Sequence, residues 1–374
     1  MRWIIRIAII IGLLITLYAS IIVGIFDPIY YSIRSAEWTK IIVRPSLLWI
    51  MMGFLLLVFR TALWFAYKPF PSAGYEGAPV LTVIIPAYNE GAMVRKSIDS
   101  VARAKYPHDK LEILAVDDGS TDDTWQYIQQ AAAEHGALVT AVRFAKNQGK
   151  RAALAEGFRR ARGEFVVTID SDSVIEEDTL LAVVGPFSDP RVGAVAGKVA
   201  VYNRQKGLIP RMLHVRFILS FDFLRATQSA YGTVYCCPGA LSAYRMSVVR
   251  EVMDKWLKQT FLGTKCTYGE DRALTNLILA RQLNAVYQRT AVVHTIVPWT
   301  YRQLCKMYLR WDRSYIREEI NFARIVWKRP LGSRIIAIWD KTITNLRFPI
   351  GYASLILLVY FTYQDPTTIL RLLY

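Results

Sequence analysis

The apolar positions along this chain follow two different rhythms. Residues 7–26 are uncharged and almost wholly apolar, long enough as a helix to cross a hydrocarbon core of about 30 Å. Residues 45–59 are again uncharged, and the apolar pattern resumes at 61–67 beyond Arg60, whose long side chain suits a headgroup-level position. A third, shorter apolar run covers 348–363. Between these runs the rhythm changes. A Pro- and Gly-rich stretch over 69–79 reads as a linker. Buried-strand runs at 80–85, 111–116, 138–144 and 165–169 then alternate with helical stretches at 91–104, 121–135 and 149–162. This alternation predicts a parallel, doubly wound α/β sheet with ligands at the carboxyl ends of its strands.

The pattern divides the chain into residues 1–75 with two membrane helices, 76–345 with the α/β domain, and 346–374 with a carboxyl-terminal membrane segment. The basic start Met1-Arg2-Trp3-Ile4-Ile5-Arg6 also suits a secretory leader, but apolar residues continue past 17–20 instead of giving way to a mature start. Composition agrees with membrane association: 53% of the 374 residues are hydrophobic. The formal charge of +16 suits anionic headgroups, nucleotide phosphates or nucleic acid. Basic and apolar residues interleave over 204–225 and 310–334, as membrane-surface helices require. No nucleic-acid-binding module is recognisable. The four cysteines, Cys236, Cys237, Cys266 and Cys305, have no zinc-site spacing and suit a reducing compartment.

Polar groups gather where the strands stop. The first strand ends at Pro86-Ala87-Tyr88-Asn89-Glu90, which alone would pass for a strand-to-helix turn capped by Asn89. The second ends at Asp117-Asp118-Gly119-Ser120-Thr121, where Ser120 or Thr121 also suits a helix cap. Lys150 stands at the amino end of a helix, with its unsatisfied N–H groups, or is a solvated helix-start lysine. The fourth strand ends at Asp170-Ser171-Asp172, two carboxylates of the hard oxygen type that suits Mg²⁺ or Mn²⁺. Further along come Cys236-Cys237-Pro238-Gly239-Ala240, then Gly269-Glu270-Asp271-Arg272, then Arg310-Trp311.

These motifs, in this order over roughly residues 80–320, resemble the family-2 glycosyltransferases that polymerise sugars at membranes, above all the hyaluronan, chitin and Nod-factor chitooligosaccharide synthases. The resemblance implies a GT-A-like nucleotide-sugar-binding domain with amphipathic interfacial helices and flanking transmembrane helices. It implies inverting transfer from a UDP-sugar, UDP-GlcNAc or UDP-GlcA or both, to a growing β-linked polysaccharide, with Mg²⁺ or Mn²⁺ as cofactor. Tyr88 would stack on the uracil, Glu90 would accept a hydrogen bond, and Asp117 or Asp118 would accept from the uracil imide. Lys150 would meet the nucleotide, and Asp170 and Asp172 would hold the metal. Cys237 and Gly239 would lie on the acceptor-side loop. Asp271 matches the general base, with Glu270 and Arg272 setting the field around it. Arg310 would meet the diphosphate and Trp311 would stack on the acceptor sugar.

One position departs from the family's Gln-x-x-Arg-Trp motif: Met307 stands in place of Gln, with Gln303, four residues earlier on the same helical face, as the candidate replacement. The expected partners are a UDP-sugar donor, an oligosaccharide or polysaccharide acceptor, the lipid bilayer and a second chain for translocation, with no nucleic acid. The expected location is the plasma membrane, multi-pass, with the catalytic domain cytosolic. Single-sugar transfer to a lipid acceptor is the enzymatic alternative. A basic membrane-anchored binding protein is the non-enzymatic one.

Overall fold

The computed structural model describes residues 45–364, with isolated positions between 7 and 27. Two units are distinguished: Arg60–Lys341, which carries the sheet, and Met1–Phe59 with Thr342–Tyr374. The apolar run at 7–26 lies largely outside the described residues. The run at 45–67 falls on the helix Pro45–Ala66, and that at 348–363 on the helix Leu331–Gln364. No helix among the described residues is long and apolar enough to cross a membrane.

The core of the larger unit is an eight-stranded sheet in the order β3-β2-β1-β4-β7-β6-β10-β5. β1 (Leu81–Ala87), β2 (Leu111–Asp117), β3 (Val139–Arg143) and β4 (Phe165–Thr168) are mutually parallel, as expected. Every residue of β1 is buried, which is why it reads as a continuous apolar run without alternation. The helices Met93–Ala102, Thr124–His135 and Lys150–Arg160 supply the crossovers.

Beyond β4 the all-parallel expectation fails. β5 (Ser173–Ile175) and β6 (Val192–Val201) are followed by β7 (Ser242–Arg245), which inserts antiparallel between β4 and β6. After the small hairpin of β8 (Thr260–Phe261) and β9 (Thr264–Lys265), β10 (Asn284–Thr295) pairs parallel with β6 and antiparallel with β5. A mixed sheet of this kind is common in large α/β domains.

The Pro/Gly stretch is also no loose linker. Tyr67 Oη donates to the Tyr287 carbonyl at 2.7 Å, and Phe70 exchanges two hydrogen bonds with the Gln288 side chain. Ala73 N–H bonds the Leu181 carbonyl. Prolines leave such a segment extended, and its remaining donors and acceptors find partners along β10 and the neighbouring helix Thr179–Val184.

Candidate active site

The residues expected from the sequence sit at the carboxyl ends of β1, β2 and β4, at the start of the helix Lys150–Arg160, and on three later segments. At the first two strand ends the loops hold each other. Asn89 N–H donates to Ser120 Oγ at 3.0 Å, and Asn89 Oδ1 accepts from Thr121 N–H at 2.9 Å. Tyr88 is exposed beside them. Asp117 is fully buried; its Oδ1 accepts from Ser120 N–H, and Arg143 Nε lies 3.1 Å from Oδ2 without hydrogen-bond alignment. Gly119 has φ +71°, and a Cβ there would fall 2.5 Å from the Lys146 backbone, so only glycine fits this turn.

Asp118 takes a different part. Its two oxygens accept from Gln148 N–H at 2.7 Å and Gly149 N–H at 2.8 Å, which fastens the loop preceding Lys150. Burial raises its pKa, and these two donors pull it partly back.

Lys150 is the meeting point. Its ammonium pairs with Asp170 Oδ1 and lies 3.6 Å from Glu270 Oε1. Burial lowers the ammonium's affinity for its proton, and the carboxylates of Asp170, Glu270 and Asp271 outweigh that, so its pKa stands above that of an ordinary lysine. Gly239 passes directly over this pair: a Cβ would sit 2.8 Å from Lys150 Nζ and 3.4 Å from Asp170 Oδ1. A small cleft runs here, lined by Lys150, Thr168, Gly239, Tyr244, Glu270 and Asp271 among others.

Carboxylates crowd this end beyond what Lys150 balances. Asp172 is pushed up to about 6, first by burial and then by Asp170, although Ser173 and Thr295 hydroxyls donate to it. Glu90 is pushed up to about 7 by burial and by Asp172 and Asp170. No group of three or more metal-ligating side chains gathers among the described residues. Two aspartates on one turn, with a surplus of negative charge, nevertheless fit a divalent cation of the Mg²⁺ type, which takes one or two protein carboxylates and completes its shell with phosphate and water.

Asp271 opens the helix Glu270–Leu279. Its Oδ1 accepts from Arg272 N–H at 2.7 Å, and the Cys236 thiol donates to Oδ2 at 3.3 Å. That thiol is pushed up to about 12 by burial and by Asp271, so it remains a donor. Cys237 is fully buried, its N–H bonded to Thr275 Oγ1, and so it seats the loop on the same helix.

The helix Tyr301–Ile325 carries Arg310 and Trp311. Arg310 is exposed and joins none of the ion pairs around Lys150. Trp311 packs against Phe217 and edge-on against Tyr308, with ring centroids 6.4 and 5.9 Å away. Met307 is buried in the core cluster. Gln303 cannot stand in for a glutamine there, because its side chain closes a capping box with Thr300 at the start of the helix.

Sequence reasoning missed Glu318, which is 3% exposed. It accepts from Gln259 Nε2 at 2.8 Å, Arg317 Nε at 2.8 Å and Asn276 Nδ2 at 3.0 Å, and so binds the helix Tyr301–Ile325 to the helix Glu270–Leu279. Two of these partners, Asn276 and Gln259, come from 42 and 59 residues away. The only local signal was an acid on the face that the helix turns inward.

Comparison with known proteins agrees with this geometry. The profile for glycosyl transferase family 2 matches residues 82–253. A hyaluronan synthase of Streptococcus pyogenes is 34% identical over 288 residues, 76% of this chain and 67% of that protein. An N-acetylglucosaminyltransferase of Azorhizobium caulinodans is 32% identical over 248 residues, 66% of this chain and 62% of that one. Among solved structures, a mannosyltransferase from Pyrobaculum calidifontis in complex with GDP-Man and Mn²⁺ shares the fold, with a TM-score of 0.53 at 22% identity over 85% of this chain and 92% of its own. Ordered motifs, fold and relatives coincide on one conclusion: this chain belongs to glycosyl transferase family 2.

Proposed function

We propose that the chain transfers sugar from a UDP-sugar to a growing β-linked, hexosamine-containing polysaccharide with inversion at the anomeric carbon. The observation that carries this reading is the convergence on Lys150. An ammonium, the Asp170 carboxylate and the Glu270 carboxylate on the helix that carries Asp271 meet against Gly239, where any side chain would displace the ammonium.

In this reading the loops of Tyr88, Glu90 and Asp117 receive the nucleotide, and Lys150 sits against the sugar-diphosphate end. Asp170 and Asp172 would hold the divalent cation, which when bound offsets charge on the departing diphosphate. Asp271 Oδ2 takes the acceptor hydroxyl's proton as that oxygen attacks the anomeric carbon, and the bond to the diphosphate breaks on the opposite face. No covalent sugar–enzyme intermediate is required. Arg310 supplies positive charge toward the diphosphate once donor is bound.

A membrane setting is supported by one helical face. Leu208, Met212, Val215 and Leu219 are all exposed at spacings of three and four residues, with Arg204, Lys206, Arg211 and Arg216 among them. This face would lie on an anionic bilayer, with the Arg60–Lys341 unit on the cytosolic side where nucleotide sugars are made.

The test is to incubate purified protein with UDP-GlcNAc, with and without UDP-GlcA, and to measure UDP release and product size. UDP release with β-linked product is expected; release of no UDP from either donor removes the reading. Asp172→Asn is expected to abolish turnover and its response to added Mg²⁺ or Mn²⁺ while the protein stays folded. Undiminished wild-type turnover in excess chelator would rule out the metal assignment.

A further inference from the structure

Five arginines are buried among the described residues: Arg151, Arg225, Arg289, Arg317 and Arg329. Four have oxygen partners. Arg151 and Arg329 donate to carbonyls, Arg289 pairs with Asp222, and Arg317 pairs with Glu318. Arg225 differs. It is 8% exposed, and its Nε, like Arg151 Nε, Arg289 Nη2 and Arg329 Nε, is buried without a hydrogen-bond partner; unlike those three it has no oxygen partner at its other nitrogens among the described residues, and its guanidinium lies over the face of Phe221, 5.2 Å to the centroid. One turn on, Gln228 is equally buried and its Oε1 also lacks a partner. Two unsatisfied polar groups three residues apart are neighbours on one helical face. Burying a guanidinium without an anion is costly, and a native fold tolerates it where a ligand completes the site.

The backbone accounts for the placement. Arg225 belongs to a basic stretch that reads in sequence as membrane-facing, but the segment Ile218–Phe223 is π-helical. Such a turn delays the helical rotation by about one residue. The exposed face of Leu208, Met212, Val215 and Leu219 ends there, and the helix Leu224–Ala230 that follows is enclosed, with Arg225, Ala226, Thr227, Gln228 and Ser229 buried in succession.

The neighbourhood identifies the ligand. The Phe221 ring beneath Arg225 packs edge-on against Phe217, centroids 4.8 Å apart, and Phe217 packs against Trp311 at 6.4 Å. Arg225 thus lies on the side of Trp311, the residue expected to stack on the acceptor sugar. One guanidinium balances one unit of negative charge, and its planar fork matches a carboxylate. The other nearby cation, Arg272, already stacks on Tyr315. A glutamine amide beside the fork is suited to sugar hydroxyls. Resting on the transferase reading above, we propose that Arg225 and Gln228 recognise the carboxylate and an adjacent hydroxyl of an acidic sugar unit in the acceptor chain.

The experiment measures binding of two fluorescent tetrasaccharides to the full chain without donor. One alternates glucuronate with N-acetylglucosamine; the other is a neutral N-acetylglucosamine tetramer. Wild type is expected to prefer the acidic one. Arg225→Gln should weaken it by roughly 10–100-fold, the worth of a hydrogen bond to a charged group, and leave the neutral one unchanged. Arg225→Lys should retain part of the preference, and unchanged neutral binding shows that the variants are folded. Equal loss for both sugars, or no loss, overturns the proposal. So does loss of binding to phosphatidylglycerol vesicles with acidic-sugar affinity intact, which would assign Arg225 to a lipid headgroup. UDP release is measured in parallel. Release without acidic preference sinks this inference and leaves the transferase reading standing; preference that Arg225→Gln abolishes, without UDP release, does the reverse.

Discussion

Asp271→Asn is expected to lower turnover by about 10²–10⁴-fold, the range of a positioned general base, while UDP-sugar affinity stays within about twofold. The substitution keeps the volume of the side chain and the Arg272 N–H contact. It removes the lone-pair charge that must take the acceptor proton, and it sets an amide where Cys236 now donates to a carboxylate oxygen. Arg310→Ala should behave differently, weakening donor binding together with turnover, since its charge would meet the diphosphate in both ground and transition states. Donor affinity and single-turnover rates for both variants separate the two roles. Near-normal turnover in Asp271→Asn would take that residue out of the mechanism and leave Glu270 as the acid to test.

Glu318→Ala should be the most damaging change for the fold itself. One carboxylate, 3% exposed, serves Gln259, Arg317 and Asn276; its removal takes the acid from a buried guanidinium, which keeps only the Tyr268 carbonyl, and leaves the Asn276 amide only the backbone carbonyl of position 318. Breaking a buried pair from one side costs about 3–5 kcal/mol, which for a unit of this size corresponds to a fall of about 10 °C in Tm. Turnover should fall at temperatures where the protein is still folded, because the helix carrying Asp271 loses its tether. Thermal unfolding followed by circular dichroism, with activity measured well below the transition, checks both parts. An unchanged Tm would mean that the network fastens nothing.

The first half of the sheet was legible because buried parallel strands write themselves as unbroken apolar runs, and β1, β2 and β4 end at the acids that were singled out. β7 was not legible. Ser242–Arg245 is four residues long, and its place between β4 and β6 depends on partners more than forty residues away. Asp170, Lys150 and Asp271 could each be named from their local motifs, but that Glu270 approaches Lys150 is a tertiary fact without a local trace. Arg225 shows the opposite error. Its neighbours Arg216 and Arg211 made it read as a surface cation, but the helix that follows the π-helical segment is buried from Arg225 through Ser229. Gln303 misled for a related reason: the face it shares with Met307 mattered less than its position three residues after Thr300, which committed it to the cap.

The two hydrogen bonds of Asp118 have a consequence for how a donor would be discriminated. The peptide nitrogens they hold belong to Gln148 and Gly149, and the next residue is Lys150. The turn after β2, expected to meet a nucleobase, and the Lys150 ammonium therefore share one mechanical foundation. They are not two independent readers of one molecule. On the proposed reading, a base that displaced the Asp118 turn would drag the origin of the Lys150 helix with it, so a mismatch at the nucleotide end would be felt as misplaced charge at the sugar end. Such a cleft grades its ligand as a single object, and fidelity at one terminus is enforced by chemistry at the other.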